Sequence, residues 1–125
     1  MLLRAAVPGE AGDAVHYGVP AIAAGIGVSQ AFIVEFVLTF LLVTSVWGTT
    51  VDERGPRIGG FGIGLTVMAG ILVGGPLTGA ALNPARAFGA ALVSGNWGHH
   101  WLYWLAPMLG GAAAARVYKS VVLRP

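Results

Sequence analysis

The chain has 125 residues, of which 56% are hydrophobic and 10% charged, with a mean hydropathy of +0.77; soluble domains carry roughly 25% charged residues, so this is a membrane composition. A net charge of +2 is too small for a nucleic-acid-binding surface, and the absence of Cys excludes disulfides and thiolate metal sites. The 20 Gly residues fall within apolar stretches, where small residues let helices approach closely in lipid.

The opening "MLLRAAVPGE" holds one Arg and a short apolar run before Pro8 and Gly9. That run is too short for a secretory signal core and reads as a cut end. Residues 1–30, with Glu10, Asp13 and His16, read as an outer segment. A bilayer span needs roughly 20 mainly apolar residues. The first such stretch runs from about Ala31 to Thr50 with one acid, Glu35, and the second from about Ile58 to Gly75. After it, "GGPLTG" is rich in turn signals, and Pro76 and Gly79 are expected to break the helix.

The segment "NPARAFGAAL", about 83–92, is helical in character but too short to cross, which suits a re-entrant half-helix. The third stretch, from about Trp101 to Val122, is closed by Arg116, Lys119 and Arg124. The expected architecture is an all-α membrane protein with three transmembrane helices and one half-helix. Arg54 and Arg57 in "VDERGPR", and Lys119 and Arg124 near the chain end, should face the cytoplasm. The alternative, two full spans within 58–98, would put these two basic segments on opposite sides.

Asn83-Pro84 is a strong helix start, because Asn caps free first-turn N–H groups and Pro is favoured at the first helical position. If the Asn83 oxygen caps, its amide N–H groups stay free beside the positive end of the helix dipole. Arg86 lies in that first turn, where the dipole disfavours a cation and burial in lipid costs about 2.5–3.5 kcal/mol or more. Two readings follow: Arg86 faces a water-filled cavity, or it belongs to an interfacial helix and snorkels to the head groups.

These residues resemble a known family. "NPAR" at 83–86, preceded by "GGPLTGAAL" and followed by "HHWLYWLAPMLGG" at 99–111, is similar to the second half of the aquaporins, the major intrinsic proteins. "VEFVLTFLLV" at 34–43 resembles the family's fourth span, "GFGIGLTVMAGI" its fifth and "WLYWLAPMLGG" its sixth. Residues 1 to about 8 resemble the end of the third span, so residues 1–30 correspond to that end and the outer loop, and 31–125 to the second inverted repeat. The first repeat, with its own Asn-Pro-Ala turn, has no counterpart here.

The resemblance implies a passive channel for water and small neutral solutes rather than an enzyme, with no cofactor. Asn83, Pro84 and Ala85 would form one of two turns meeting at mid-membrane, with Asn83 donating to water and interrupting a proton wire. Arg86 would line the outer filter, and the positive end of the half-helix would oppose cations. The carbonyls of Gly79, Ala80 and Ala81 would accept from solutes. Glu35 would accept from backbone N–H groups of the re-entrant loop; read without the family, it is a lone acid snorkelling near a helix end. Filter positions carried over by spacing from Asn83 are Ile71 and Ala80, both small or apolar, which implies an aperture wider than a water-only filter. Ala87 departs from the Asp of glycerol facilitators, whereas Ala91, Tyr103 and Trp104 match water channels.

The implied partners are water, small neutral solutes, the lipid bilayer, and a missing N-terminal half or full-length channel subunits, with a homotetramer when complete and no nucleic acid. The expected location is multi-pass in the plasma (inner) membrane with a cytoplasmic C-terminus. The alternative is a non-conducting truncated subunit that associates with other channel proteins.

Other features have plainer readings. Adjacent His99 and His100 without Cys or paired acids make a poor metal site. Trp97, Trp101, Tyr103 and Trp104 mark an outer aromatic belt, the last two also suited to core packing. Gly60-x-x-x-Gly64 and Gly70-x-x-x-Gly74 are expected helix contact faces. The Ser in "VSGNW" has neither a convincing base nor a nucleophile elbow, which leaves an intramembrane hydrolase without support.

Overall fold

The computed structural model describes residues 5–14 and 16–123. Arg4 and Arg124 lie outside them, as does half of the segment expected to end a preceding span. The described residues are helical with no strand. A short helix α1 (Gly9–Ala14) and a single turn (His16–Gly18) precede an irregular stretch leading to α2 (Val28–Val46), which a π-helical turn (Trp47–Val51) prolongs. After the 52–59 turn come α3 (Gly60–Thr78), α4 (Pro84–Ser94) and α5 (Leu102–Val117), the last also prolonged by a π-helical turn (Tyr118–Val122). Val28–Val51 and Gly60–Thr78 are each long and apolar enough to cross a membrane.

Local chemistry sets the ends. At the start of α2, the Gln30 side chain accepts from the Gly27 N–H at 2.8 Å, satisfying a backbone donor outside the helical ladder. Helix α3 does not stop before Pro76 but runs to Thr78. Pro76 removes one ladder bond, yet only two helical residues follow it. The break falls instead on Gly79, whose left-handed backbone (φ 81°, ψ 2°) returns its N–H to Gly75 O at 3.0 Å, a common helix stop. Gly95 (φ 78°) closes α4 in the same way, its N–H on Ala91 O at 2.8 Å.

Helix α2 is central, packing most extensively on α5 and next on α3. The close approach to α5 is made by Gly110, where an added Cβ would stand 2.3 Å from the Phe36 carbonyl oxygen. On α3, Gly70 and Gly74 face Leu82 and Leu38. Gly60 and Gly64, expected to do the same, have no atom within 4 Å of an added Cβ; at the start of α3 it is Gly62 that meets the turn prolonging α2, at Thr49. The interior holds small and polar residues (Ala31, Glu35, Thr78, Ala80, Ala81, Ala106), while Ile33, Phe61, Leu72, Val73 and Met108 point outward. Without water outside, large apolar groups need no burial, and close backbone packing falls to small residues.

The two basic segments lie at one end. Arg54 Nη2 donates to Val122 O at 2.7 Å, and Tyr118 Oη donates to Asp52 Oδ2 at 3.1 Å. The 52–57 turn and the end of α5 are therefore neighbours, which two full spans within 58–98 would forbid.

Candidate functional site

The 79–83 segment between α3 and α4 turns its backbone N–H groups at Ala80, Ala81 and Leu82 toward the buried side chains of Glu35 and Thr78. Ala80 (φ 44°) and Leu82 (φ 53°) hold left-handed backbone, costing about 1–2 kcal/mol each for residues with a Cβ. Buried Glu35 offsets that cost from α2. Its Oε1 accepts from Ala81 N at 2.9 Å and from Thr78 Oγ1 at 2.6 Å, and its Oε2 accepts from Leu82 N at 2.9 Å. Thr78 Oγ1 in turn accepts from Ala80 N at 3.2 Å. Glu35 is fully buried, so a snorkelling acid is not what the fold contains.

Because trans peptide groups point N–H and C=O in opposite directions, these three anchored N–H groups turn the carbonyls of Gly79, Ala80 and Ala81 away from Glu35. Arg86 meets two of them: its Nη1 donates to Gly79 O at 3.3 Å and to Ala80 O. The guanidinium is thus tied back to the loop before its own helix.

Asn83 caps α4. Its backbone is extended (φ −152°, ψ 121°) and its Oδ1 accepts from Ala85 N at 2.9 Å, leaving the side-chain N–H groups uncommitted. Asn83, Ala85 and Arg86 are exposed at the positive end of α4, with Pro84 half-buried as the first helical residue.

Two hollows flank this arrangement. An open cleft of about 660 Å³ is lined by residues of the 18–24 stretch together with Ile71, Gly75, Pro76, Gly79 and Arg86. A smaller hollow of about 190 Å³ is lined by Leu42, Val67, Ile71, Ala80, Ala81, Leu82, Asn83 and Arg86. Ile71 and Arg86 belong to both and stand between them. A chain of this shape offers a cation, backbone acceptors and a capped helix N-terminus along one face, with no nucleophile and base set among them.

The major intrinsic protein family model matches residues 1–118. The chain belongs to that family. It is 44% identical over 118 residues to aquaporin TIP4-1 of Arabidopsis thaliana, covering 92% of this chain and 46% of that protein. It is 52% identical over 95 residues to probable aquaporin TIP3-2 of Oryza sativa subsp. japonica (74% and 36%) and 42% identical over 112 residues to aquaporin A of Dictyostelium discoideum (86% and 40%). The chain therefore spans less than half the length of these relatives.

Within this major intrinsic protein, the structure brings together all the residues singled out from the sequence around 71–86, with Glu35 behind them. Sequence reasoning missed Thr78 as a bridge and left Tyr103 open between belt and core. Tyr103 is not in the interfacial belt but 1% exposed, its hydroxyl donating to Thr78 O at 2.9 Å. Trp97, Trp101 and Trp104 are exposed. His100 is committed locally, its Nε2 accepting from Trp104 Nε1 at 2.9 Å.

Proposed function

We propose that this chain is one half of a passive membrane channel for water and small neutral solutes, and that Arg86 and Ile71 form part of its narrowest point. The observation that carries the reading is their position between the two hollows, with Arg86 fastened to the carbonyls of Gly79 and Ala80. Solutes pass along the face where these carbonyls and the Asn83 amide supply acceptors and donors in file. Asn83 donates to the oxygen of a passing water and so orients it, which interrupts the hydrogen-bonded wire along which a proton would be relayed. The Arg86 charge and the positive end of α4 repel cations.

Polar backbone at membrane depth must be enclosed by protein, and here Asn83, Ala85 and Arg86 are exposed. The pore therefore closes only against a complementary first half, with three membrane-crossing segments of this chain and the basic ends cytoplasmic. Assembly into a homotetramer, which the family resemblance implies for the complete channel, fits this design. The same exposed face also suits a non-conducting subunit that sits against another channel protein, and conduction separates the two.

Ile71 offers no hydrogen bond, so a solute larger than water loses few contacts on passing it. In proteoliposomes of this chain joined to a first aquaporin repeat, water and urea should both permeate, and Ile71→His should cut urea uptake while sparing water. A joined protein that never passes urea, with or without Ile71→His, contradicts the wide filter.

A further inference from the structure

Thr78 is the last residue of α3, so its carbonyl has lost the intrahelical partner that a continuing helix would provide. The N–H four residues on, that of Leu82, is taken by Glu35. The carbonyl is satisfied instead from α5, by the Tyr103 hydroxyl at 2.9 Å, in a fully buried setting. The next peptide group carries the Gly79 oxygen that accepts from Arg86, and its Ala80 N–H returns to Thr78 Oγ1. Thr78 is thus gripped twice, through its carbonyl by Tyr103 and through its hydroxyl by Glu35.

We propose that Tyr103 is a positioning residue for solute selection: by fixing the Thr78 carbonyl it sets where the Gly79 and Ala80 oxygens hold the Arg86 guanidinium, and so sets the width between Arg86 and Ile71. The proposal rests on the channel reading above for its consequence, but not for its geometry. Tyr103 touches no solute. Its ring belongs to the buried cluster with Ala31, Ala81, Ala87 and Leu102, and only its hydroxyl reaches the loop. Without that hydroxyl the Thr78–Gly79 peptide keeps a buried carbonyl with no donor, and its remaining hydrogen bond is that of the Gly79 N–H to Gly75 O at 3.0 Å; the peptide then settles about that one bond, with Gly79, which has no Cβ, taking up the change in backbone angle.

The test is Tyr103→Phe, which keeps the ring and removes one hydrogen bond. In the protein joined to a first aquaporin repeat, two quantities are read: the urea-to-water permeability ratio in proteoliposomes, and proton exchange of the Arg86 guanidinium by NMR in detergent. The expected result is a ratio changed by about threefold or more, the scale of one interhelical hydrogen bond in a membrane protein, at unchanged protein level and with faster guanidinium exchange. In an Arg86→Ala background the same substitution should leave the ratio unmoved, since the group being positioned is gone. An unchanged ratio with unchanged exchange overturns the positioning role, as does an equal shift in the Arg86→Ala background. If the joined protein passes no more water than empty vesicles, the channel reading falls, and guanidinium exchange alone then decides whether Tyr103 positions Arg86.

Discussion

Thr78 and Glu35, 43 positions apart in sequence, meet through a 2.6 Å hydrogen bond between two fully buried side chains. That contact couples the end of α3 to the middle of α2, and the same carboxyl group holds the Ala81 and Leu82 N–H groups of the 79–83 loop. Glu35→Ala leaves the buried Ala81 and Leu82 N–H groups without an acceptor, while the Thr78 hydroxyl keeps Gly74 O at 3.3 Å, at about 1–3 kcal/mol for each one left unpaired. We expect a loss of about 2 kcal/mol or more, and Glu35→Gln, which retains one acceptor, to lose less. Thermal melting in detergent reads both; equal stability of Glu35→Ala and the parent chain would contradict the anchoring role.

The glycines rank by what surrounds them. Gly110→Ala drives a Cβ against the Phe36 backbone carbonyl, an atom that cannot swing aside, and should cost about 1–3 kcal/mol as overpacking. Gly74→Ala meets the end of a flexible leucine, Leu38, and should cost less. Gly64→Ala meets nothing and, by helix propensity, should be neutral or stabilising by up to about 1 kcal/mol. Melting temperatures of the three variants check this order, and a Gly64→Ala loss as large as that of Gly110→Ala would break it.

At the basic end, hydrogen bonds from Arg54 hold the Asp52 carboxyl at about 2, below its ordinary 3.8, with a further bond from Tyr118. A carboxyl whose value is depressed on folding stabilises the fold above its unfolded value and loses that contribution as pH falls through the folded one. The melting difference between the parent chain and Asp52→Asn should therefore hold steady from pH 7 to about 4 and shrink toward zero as pH approaches 2. A difference already gone at pH 5 would contradict the hold of Arg54 on the Asp52 carboxyl.

What the sequence makes legible is local or compositional. Asn83-Pro84 declares its cap because the partners are two residues apart, and the outward apolar residues follow from hydropathy. Pro76 misleads because a breaker near a helix end removes only one bond, and the true stop needs the left-handed backbone of Gly79. Gly60-x-x-x-Gly64 and Gly70-x-x-x-Gly74 are alike as patterns and differ only in which of them α2 covers. No periodicity joins Glu35 to Ala81 and Leu82; the family resemblance supplied that expectation, and the Thr78 bridge and the Tyr103 bond became visible only in the folded chain.

The most direct measurement is osmotic shrinkage together with cation and proton leak in proteoliposomes, for the 125-residue chain alone, for the chain joined to a first aquaporin repeat, and for the joined protein with Arg86→Ala. The account predicts that the chain alone matches empty vesicles, that the joined protein passes water with leak at background, and that Arg86→Ala keeps water flux while raising leak. Water flux from the chain alone, or unchanged leak in a well-expressed Arg86→Ala protein, would contradict it.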